Sequence, residues 1–250
     1  MTKLISIHGF AGSPASFLGI ERHLPLERLR VLRLTLLGHD RERTRLTTLL
    51  RRFEQEVDRL ASEIKKRGMQ GAHLCGYSLG ARVALGLLVR HPYLFRSATL
   101  IGVHPGLVST AERIARAGQD ERWCGLLARG DLNEFARAWE SQPIFASRLR
   151  CAGSEAYARI RRAHSAEGLA RALRVLGLAQ MPSYRGCFRA LRVPVQLVVG
   201  ALDQKFVEIG RRLAVLGGPV ELHVVAGAGH DLPLEAPASV ANVLRQALEA

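Results

Sequence analysis

In "HLCGYSLGARVAL", residues 73–85, Ser78 stands between Gly76 and Gly80, where an apolar strand pattern gives way to a helical one. G-x-S-x-G at such a junction sets a hydroxyl on a very tight turn. The glycines leave room for the turn and let the helix approach the strand, so the serine oxygen is exposed above the sheet. The amide of Leu79 opens the helix and can donate to a developing oxyanion. A serine needs a base, and the base needs an orienting acid, in the chain order Ser, Asp or Glu, His. The chain has only six aspartates. Asp203 lies just past the apolar run "VQLVVG", where its alternative role is that of a helix N-cap, and His230 follows the next run in "GAGHDLPLEAP". Asp203 would hold the His230 ring in one tautomer while His230 takes the proton of Ser78. Asp231 is a rival acid, but an immediate neighbour of His230 is poorly placed to reach its ring. The second oxyanion donor is expected from "HGFAGS", residues 8–13, through the amide of Phe10, with His8 bonding backbone groups beneath that loop.

These residues need a scaffold that brings strand ends together. "KLISIHGF", "LRVLRLTLLGHD", "GAHLCGYS", "FRSATLIGVHPG", "VPVQLVVGALD" and "VELHVVAGAGH" read as six strands. Helical patterns alternate with them: "SFLGIERHL", residues 46–67 ending at Gly68, "LGARVALGLLVRHP", "QKFVEIGRRLAVL" and residues 236–249. Alternation predicts an α/β fold with a mostly parallel central sheet flanked by helices. Residues 109–179 break the rhythm with several successive helices. The expectation is one domain, 1–250, with 109–179 as a helical cap inserted after the fourth strand, over the crevice at the carboxyl edge of the sheet.

The chain has 250 residues, 48% of them hydrophobic, and a formal net charge of +14. That is enough for one large core. The arginines scatter along helix-like segments, densest in "RERTRLTTLLRRFEQEV" among acids and apolar residues; a GC-rich genome accounts for much of such a bias, and an anionic substrate explains it at least as well as nucleic acid, which is not expected as a partner. The four cysteines, Cys75, Cys124, Cys151 and Cys187, have no metal-ligand spacing, and reduced thiols suit a reducing compartment. No run approaches the roughly 18 apolar residues of a membrane span. The expected location is the cytoplasm, with no stable membrane association and no metal.

At the level of these motifs the chain resembles the α/β-hydrolase superfamily. "GYSLGARVAL", "GVHPGL", "DERW", "FARAWESQPIFAS", "GALDQKF" and "GAGHDLPLEAP", in this order and spacing, further resemble the 2-succinyl-6-hydroxy-2,4-cyclohexadiene-1-carboxylate synthases. The resemblance implies a cofactor-free 2,5-elimination of pyruvate from a cyclohexene carrying an enolpyruvyl group, with Ser78, His230 and Asp203 acting as a base. It also implies guanidinium groups for the substrate's carboxylates, whose planar fork binds a carboxylate through two hydrogen bonds. Arg82, one helical turn after Ser78, matches the family's arginine there. Arg116 matches by spacing, with Arg113 as its alternative. Arg161 matches by counting back from "GLA", with Arg162 beside it. Trp139 and Phe145 would form aromatic walls, and Tyr77 would contact substrate. The chain departs from the family pattern at Ala81, where a glycine is usual, and in "LLGHDR", where "PGHG" is usual. A carboxylesterase or C–C bond hydrolase on the same fold would use the same triad through an acyl-enzyme, and a non-catalytic binding homologue would often lack one of its members. The cap arginines and the complete triad argue against these two readings respectively.

Overall fold

The computed structural model describes residues 1–40, 49–151 and 154–249. Six strands form one sheet: β1 (Thr2–Ile7), β2 (Leu29–Leu34), β3 (Ala72–Tyr77), β4 (Phe95–Ile101), β5 (Val195–Gly200) and β6 (Val220–Val225). Their spatial order is β2-β1-β3-β4-β5-β6, and every pairing is parallel. The helices are α1 (Leu18–Glu21), α2 (Phe53–Lys66), α3 (Leu79–Arg90), α4 (Thr110–Ala128), α5 (Leu132–Glu140), α6 (Ser154–Arg162), α7 (Ala166–Leu176), α8 (Gln204–Ala214), α9 (Leu232–Glu235) and α10 (Pro237–Glu249).

Both faces of the inner strands are apolar because both are covered. Alternate residues of one strand go to opposite cores: Ile5 and Ile7 pack with Leu74, Leu100 and Leu197 beneath α2 and α3, while Leu4, Cys75, Ile101 and Val198 pack beneath α1 and α10. The outer strand β6 lacks this pattern and is half-buried except at Glu221 and Val224, which are exposed.

The expected helix over 46–67 is shorter. Residues 46–48 lie outside the described residues, as does the arginine-rich stretch 41–48, and the helix begins at Phe53. Gln55 explains the start, since its Oε1 accepts from the amides of Arg51 (2.7 Å) and Arg52 (3.0 Å), which the first turn would otherwise leave unpaired. Gly68, at φ +64°, ends it.

Between β4 and β5 lie α4 to α7 and a 3-10 stretch, Pro143–Arg150. The helix starts are capped from the sequence: Ser109 and Glu112 bond reciprocally at α4, Asp131 caps α5 and Ser165 caps α7. This block has its own small core of Cys124, Leu127, Phe135, Leu169 and Leu173, which includes Ala11 and is packed by Phe10 from the loop after β1. No helix among the described residues is long and apolar enough to cross a membrane.

Strand order decides where a site can form. The chain runs from β1 out to β2, then returns to place β3 on the other side of β1. The reversal opens a crevice at the carboxyl ends of β1 and β3, bordered by the loop containing Phe10 and by Ser78.

Candidate active site

Ser78 sits at φ 52° and ψ −109°, a conformation L-residues rarely adopt. Two contacts hold it there: its amide donates to Ile101 O at 2.8 Å, and its carbonyl accepts from Arg82 N–H at 3.1 Å, which starts α3. The flanking glycines are sterically required. A Cβ on Gly80 would stand 2.1 Å from Ile7 O, and one on Gly76 would stand 2.6 Å from Gly80 O.

His230 Nε2 lies 3.0 Å from Ser78 Oγ, and His230 Nδ1 lies 2.7 Å from Asp203 Oδ2. With Nδ1–H donating to Asp203, Nε2 is left to accept the serine proton. Asp203 serves two ends, because its Oδ1 also caps α8 by accepting from Phe206 N–H at 3.4 Å. The His230 ring is wedged against Phe206, with centroids 4.6 Å apart, and above Gly102, where a Cβ would meet its Cε1 at 2.8 Å. Glu235 grips the chain on both sides of it: one carboxylate oxygen accepts from Gly229 N–H (2.8 Å), the other from Asp231 N–H (2.9 Å). Sequence reasoning missed Glu235, although it stands in the quoted "GHDLPLE".

Amides of the loop after β1 are spent both within it and on a neighbouring loop. Gly12 N–H donates to Gly9 O (3.1 Å), and Ala11 N–H donates to His39 Nε2 (2.9 Å). Among the described residues no acceptor takes the amides of Phe10 or Leu79, and both residues line one cavity with Ser78. Ala11 has φ 53°, so the loop is strained, and His39 holds it. His8 lies beneath, with Nδ1–H donating to Gly9 O (2.8 Å) and Nε2 accepting from Leu36 N–H (3.3 Å). Burial chiefly, and His164 nearby, pull His8 down to about 4 against its hydrogen bond to Gly9; burial, with His8 and His164, lowers His39 as well.

The Ser78 cavity, about 70 Å³, is walled by Arg82, Arg116 and Trp139. Arg82 donates one bond, to Leu176 O at 2.8 Å. Burial first, then Arg116, hold its guanidinium below the usual range. Arg116 Nε pairs with Asp120 Oδ1 at 2.8 Å; Asp120 Oδ2 has no hydrogen-bond partner among the described residues, and burial raises this carboxyl. Arg113, the alternative by sequence, is consumed elsewhere. Its guanidinium donates to Ala179 O, Met181 O and Leu107 O at 2.7–3.0 Å. Arg161 and Arg162 separate likewise. Arg161 is buried, bonds Glu140 at 2.6 Å, and lines a cavity of about 30 Å³ with Tyr77, Ser78, Trp139 and Phe145. Arg162 pairs with exposed Glu155. Trp139 Nε1 is buried between the two small cavities, without a hydrogen-bond partner among the described residues.

Arg148, 1% exposed, escaped the sequence reading. It pairs with Glu140 (3.0 Å) and with Asp231 (3.4 Å), and its guanidinium lies 5.3 Å from the Phe145 ring centroid. Asp231, the rival acid, therefore faces Arg148 rather than the histidine ring. Tyr157, also missed, donates to Ser16 O at 3.1 Å. Neither residue stands in a pattern that periodicity could single out. Among the described residues no group of His, Cys, Asp and Glu could hold a metal ion.

A hydroxyl with a histidine acceptor, two unused amides and two guanidinium groups around one cavity can remove a proton beside a carbonyl, or attack a carbonyl, in an anionic substrate. Residues 4–243 match the alpha/beta hydrolase family. A 2-succinyl-6-hydroxy-2,4-cyclohexadiene-1-carboxylate synthase of Enterobacter sp. (strain 638) is 31% identical over 98% of this chain and 91% of that protein. One from Citrobacter koseri is 32% identical over 98% and 93%. Among solved structures, MenH from S. aureus superposes with a TM-score of 0.93 at 23% identity, over 99% of this chain and 93% of that one. A carboxylesterase from the thaumarchaeon Nitrososphaera gargenis reaches 0.80 at 19% identity, over 99% and 90%.

Proposed function

The chain belongs to the alpha/beta hydrolase family and, within it, to the 2-succinyl-6-hydroxy-2,4-cyclohexadiene-1-carboxylate synthases, which makes it an enzyme of the lyase class; from that premise we propose that it eliminates pyruvate from 2-succinyl-5-enolpyruvyl-6-hydroxy-3-cyclohexene-1-carboxylate in menaquinone biosynthesis, in the cytoplasm. The observation that carries the reading is the cavity that Ser78 shares with both Arg82 and Arg116. A neutral ester gives no reason to set two guanidinium groups beside the nucleophile; a multiply carboxylated ring does.

In this reading His230, oriented by Asp203, takes the Ser78 proton as Ser78 Oγ removes the ring proton next to the succinyl carbonyl. The electron pair moves through the ring double bond and breaks the carbon–oxygen bond to the enolpyruvyl group. Two ring double bonds remain. The leaving enolate picks up one proton at carbon and becomes pyruvate, so no acyl-enzyme forms and no water is consumed. The amides of Phe10 and Leu79 stabilise the charge that develops on the carbonyl oxygen. Arg82, Arg116 and, from the second small cavity, Arg161 hold carboxylates, while Tyr77, Trp139 and Phe145 shape the walls. Residues 109–179 act as the cap over this site.

The test is pyruvate release from the enzymatically generated substrate, followed with lactate dehydrogenase, with the spontaneous rate and Ser78→Ala as controls. Release far above background that disappears in the variant is the expected result. Release at background, with p-nitrophenyl esters cleaved efficiently, would support the acyl-enzyme hydrolase that the likeness in fold to carboxylesterases favours.

A further inference from the structure

Beside the two small cavities lies a groove of about 670 Å³, lined by Arg116, Gln119, Gln142, Lys205 and His230 among others. Neither cavity of about 70 or 30 Å³ can hold a substrate of this size, which needs a pocket of roughly 300 Å³ or more. Part of the substrate must therefore extend into the groove. Chemistry says which part. The proton to be removed and the leaving group sit on opposite corners of the six-membered ring. With the proton at Ser78, the enolpyruvyl arm points away from the inner cavity, and its carboxylate lies farther out still.

Among the described residues the groove offers two cations. Arg116 also lines the inner cavity and is tied to Asp120. Lys205 belongs to the groove alone, and its ammonium has no hydrogen bond or ion pair among the described residues. The nearest acids in sequence are taken: Asp203 holds His230 and caps α8, and Glu208 pairs with Arg212. Lys205 also stands in the first turn of α8, which carries no acidic residue. A cation there opposes the helix dipole, and its one contact among the described residues is the neighbouring Phe206 ring, whose centroid lies 5.9 Å from Nζ. A shared field reports the convergence: His104 is lowered to about 4 by burial first, then by Arg82, Lys205 and Arg116 together.

We infer that Lys205 is a specificity-determining residue that binds the carboxylate of the enolpyruvyl group in this groove and, after cleavage, the carboxylate of pyruvate. The inference rests on the elimination reading and adds the seat of the leaving group. Because the contact exists before and during cleavage, Lys205→Gln should raise KM roughly tenfold with kcat changed much less. Competitive inhibition by pyruvate should weaken by a similar factor, inhibition by the cyclohexadiene product should stay unchanged, and Lys205→Arg should restore both constants. An unchanged KM and pyruvate inhibition in Lys205→Gln would overturn the inference, as would equal weakening for both products, which marks a diffuse field. Titration of the resting protein with pyruvate, read from the lysine side-chain NMR signals, tests the subsite without turnover. Saturable binding that is lost in Lys205→Gln supports it, and its absence in the wild type overturns it. A wild type that binds pyruvate this way but releases none from the substrate would count against the elimination reading instead.

Discussion

Ser78 is held at a positive φ by its surroundings, and that strain costs about 1–3 kcal/mol. Ser78→Gly should therefore raise the stability measured by urea unfolding by about 1 kcal/mol while abolishing pyruvate release. Opposite signs in the two assays would separate a catalytic role from a structural one. Arg82→Ala should lower kcat/KM about 100-fold, mostly through KM, with little change in melting temperature, because it removes a disfavoured cation whose side chain makes a single hydrogen bond among the described residues. Full activity in that variant would sink its role as a carboxylate clamp. The juxtaposition of Ser78, His230 and Asp203 was legible because tight turns and strand ends leave short, fixed patterns. The choice between Arg113 and Arg116 was not. They are one helical turn apart, and only the carbonyls of Leu107, Ala179 and Met181, far along the chain, distinguish them. Arg148 lay hidden because its partners, Glu140 and Asp231, come from unrelated segments.

At the scale of elements, the site depends on how closely α3 and the β1 loop approach the sheet. Gly80→Ala would drive a methyl into Ile7 O, so it should cost more than about 3 kcal/mol or prevent folding, read from expression and denaturant melts. The loop rests on histidines that must stay neutral: His8 and His39 accept backbone amides through Nε2. His8 falls to about 4, chiefly through burial; burial, then Arg96, lowers His73 in the sheet to about 3. Unfolded histidines protonate near 6.5. The stability these residues contribute is thus complete above pH 6.5 and is lost as pH falls toward 4 and then 3, worth roughly 3 kcal/mol for His8 alone. Urea melts between pH 7 and 4 should show this slope, and His8→Gln should flatten it. The helices that were easy to place have strong periodicity or a glycine stop. The start of α2 was not, because its cap, Gln55, lies inside the helix and no Ser, Thr, Asp or Asn stands at its entry.

On the scale of the whole molecule, all six strands and the helical block between β4 and β5 were legible, since short apolar runs bounded by turn residues and separated by helical patterns leave few alternatives. The groove was not, because it forms between segments as distant as α4, the 3-10 stretch and α8. Its cations lie in a chain of net charge +14. Such a molecule draws a polyanion from beyond contact, over a Debye length of about 8 Å at physiological salt. Capture should then be partly a matter of long-range attraction: kcat/KM should fall as sodium chloride is raised, while kcat stays level. Where the substrate is scarce and decays spontaneously, the excess arginine would act before any binding pocket is reached, by shortening the search.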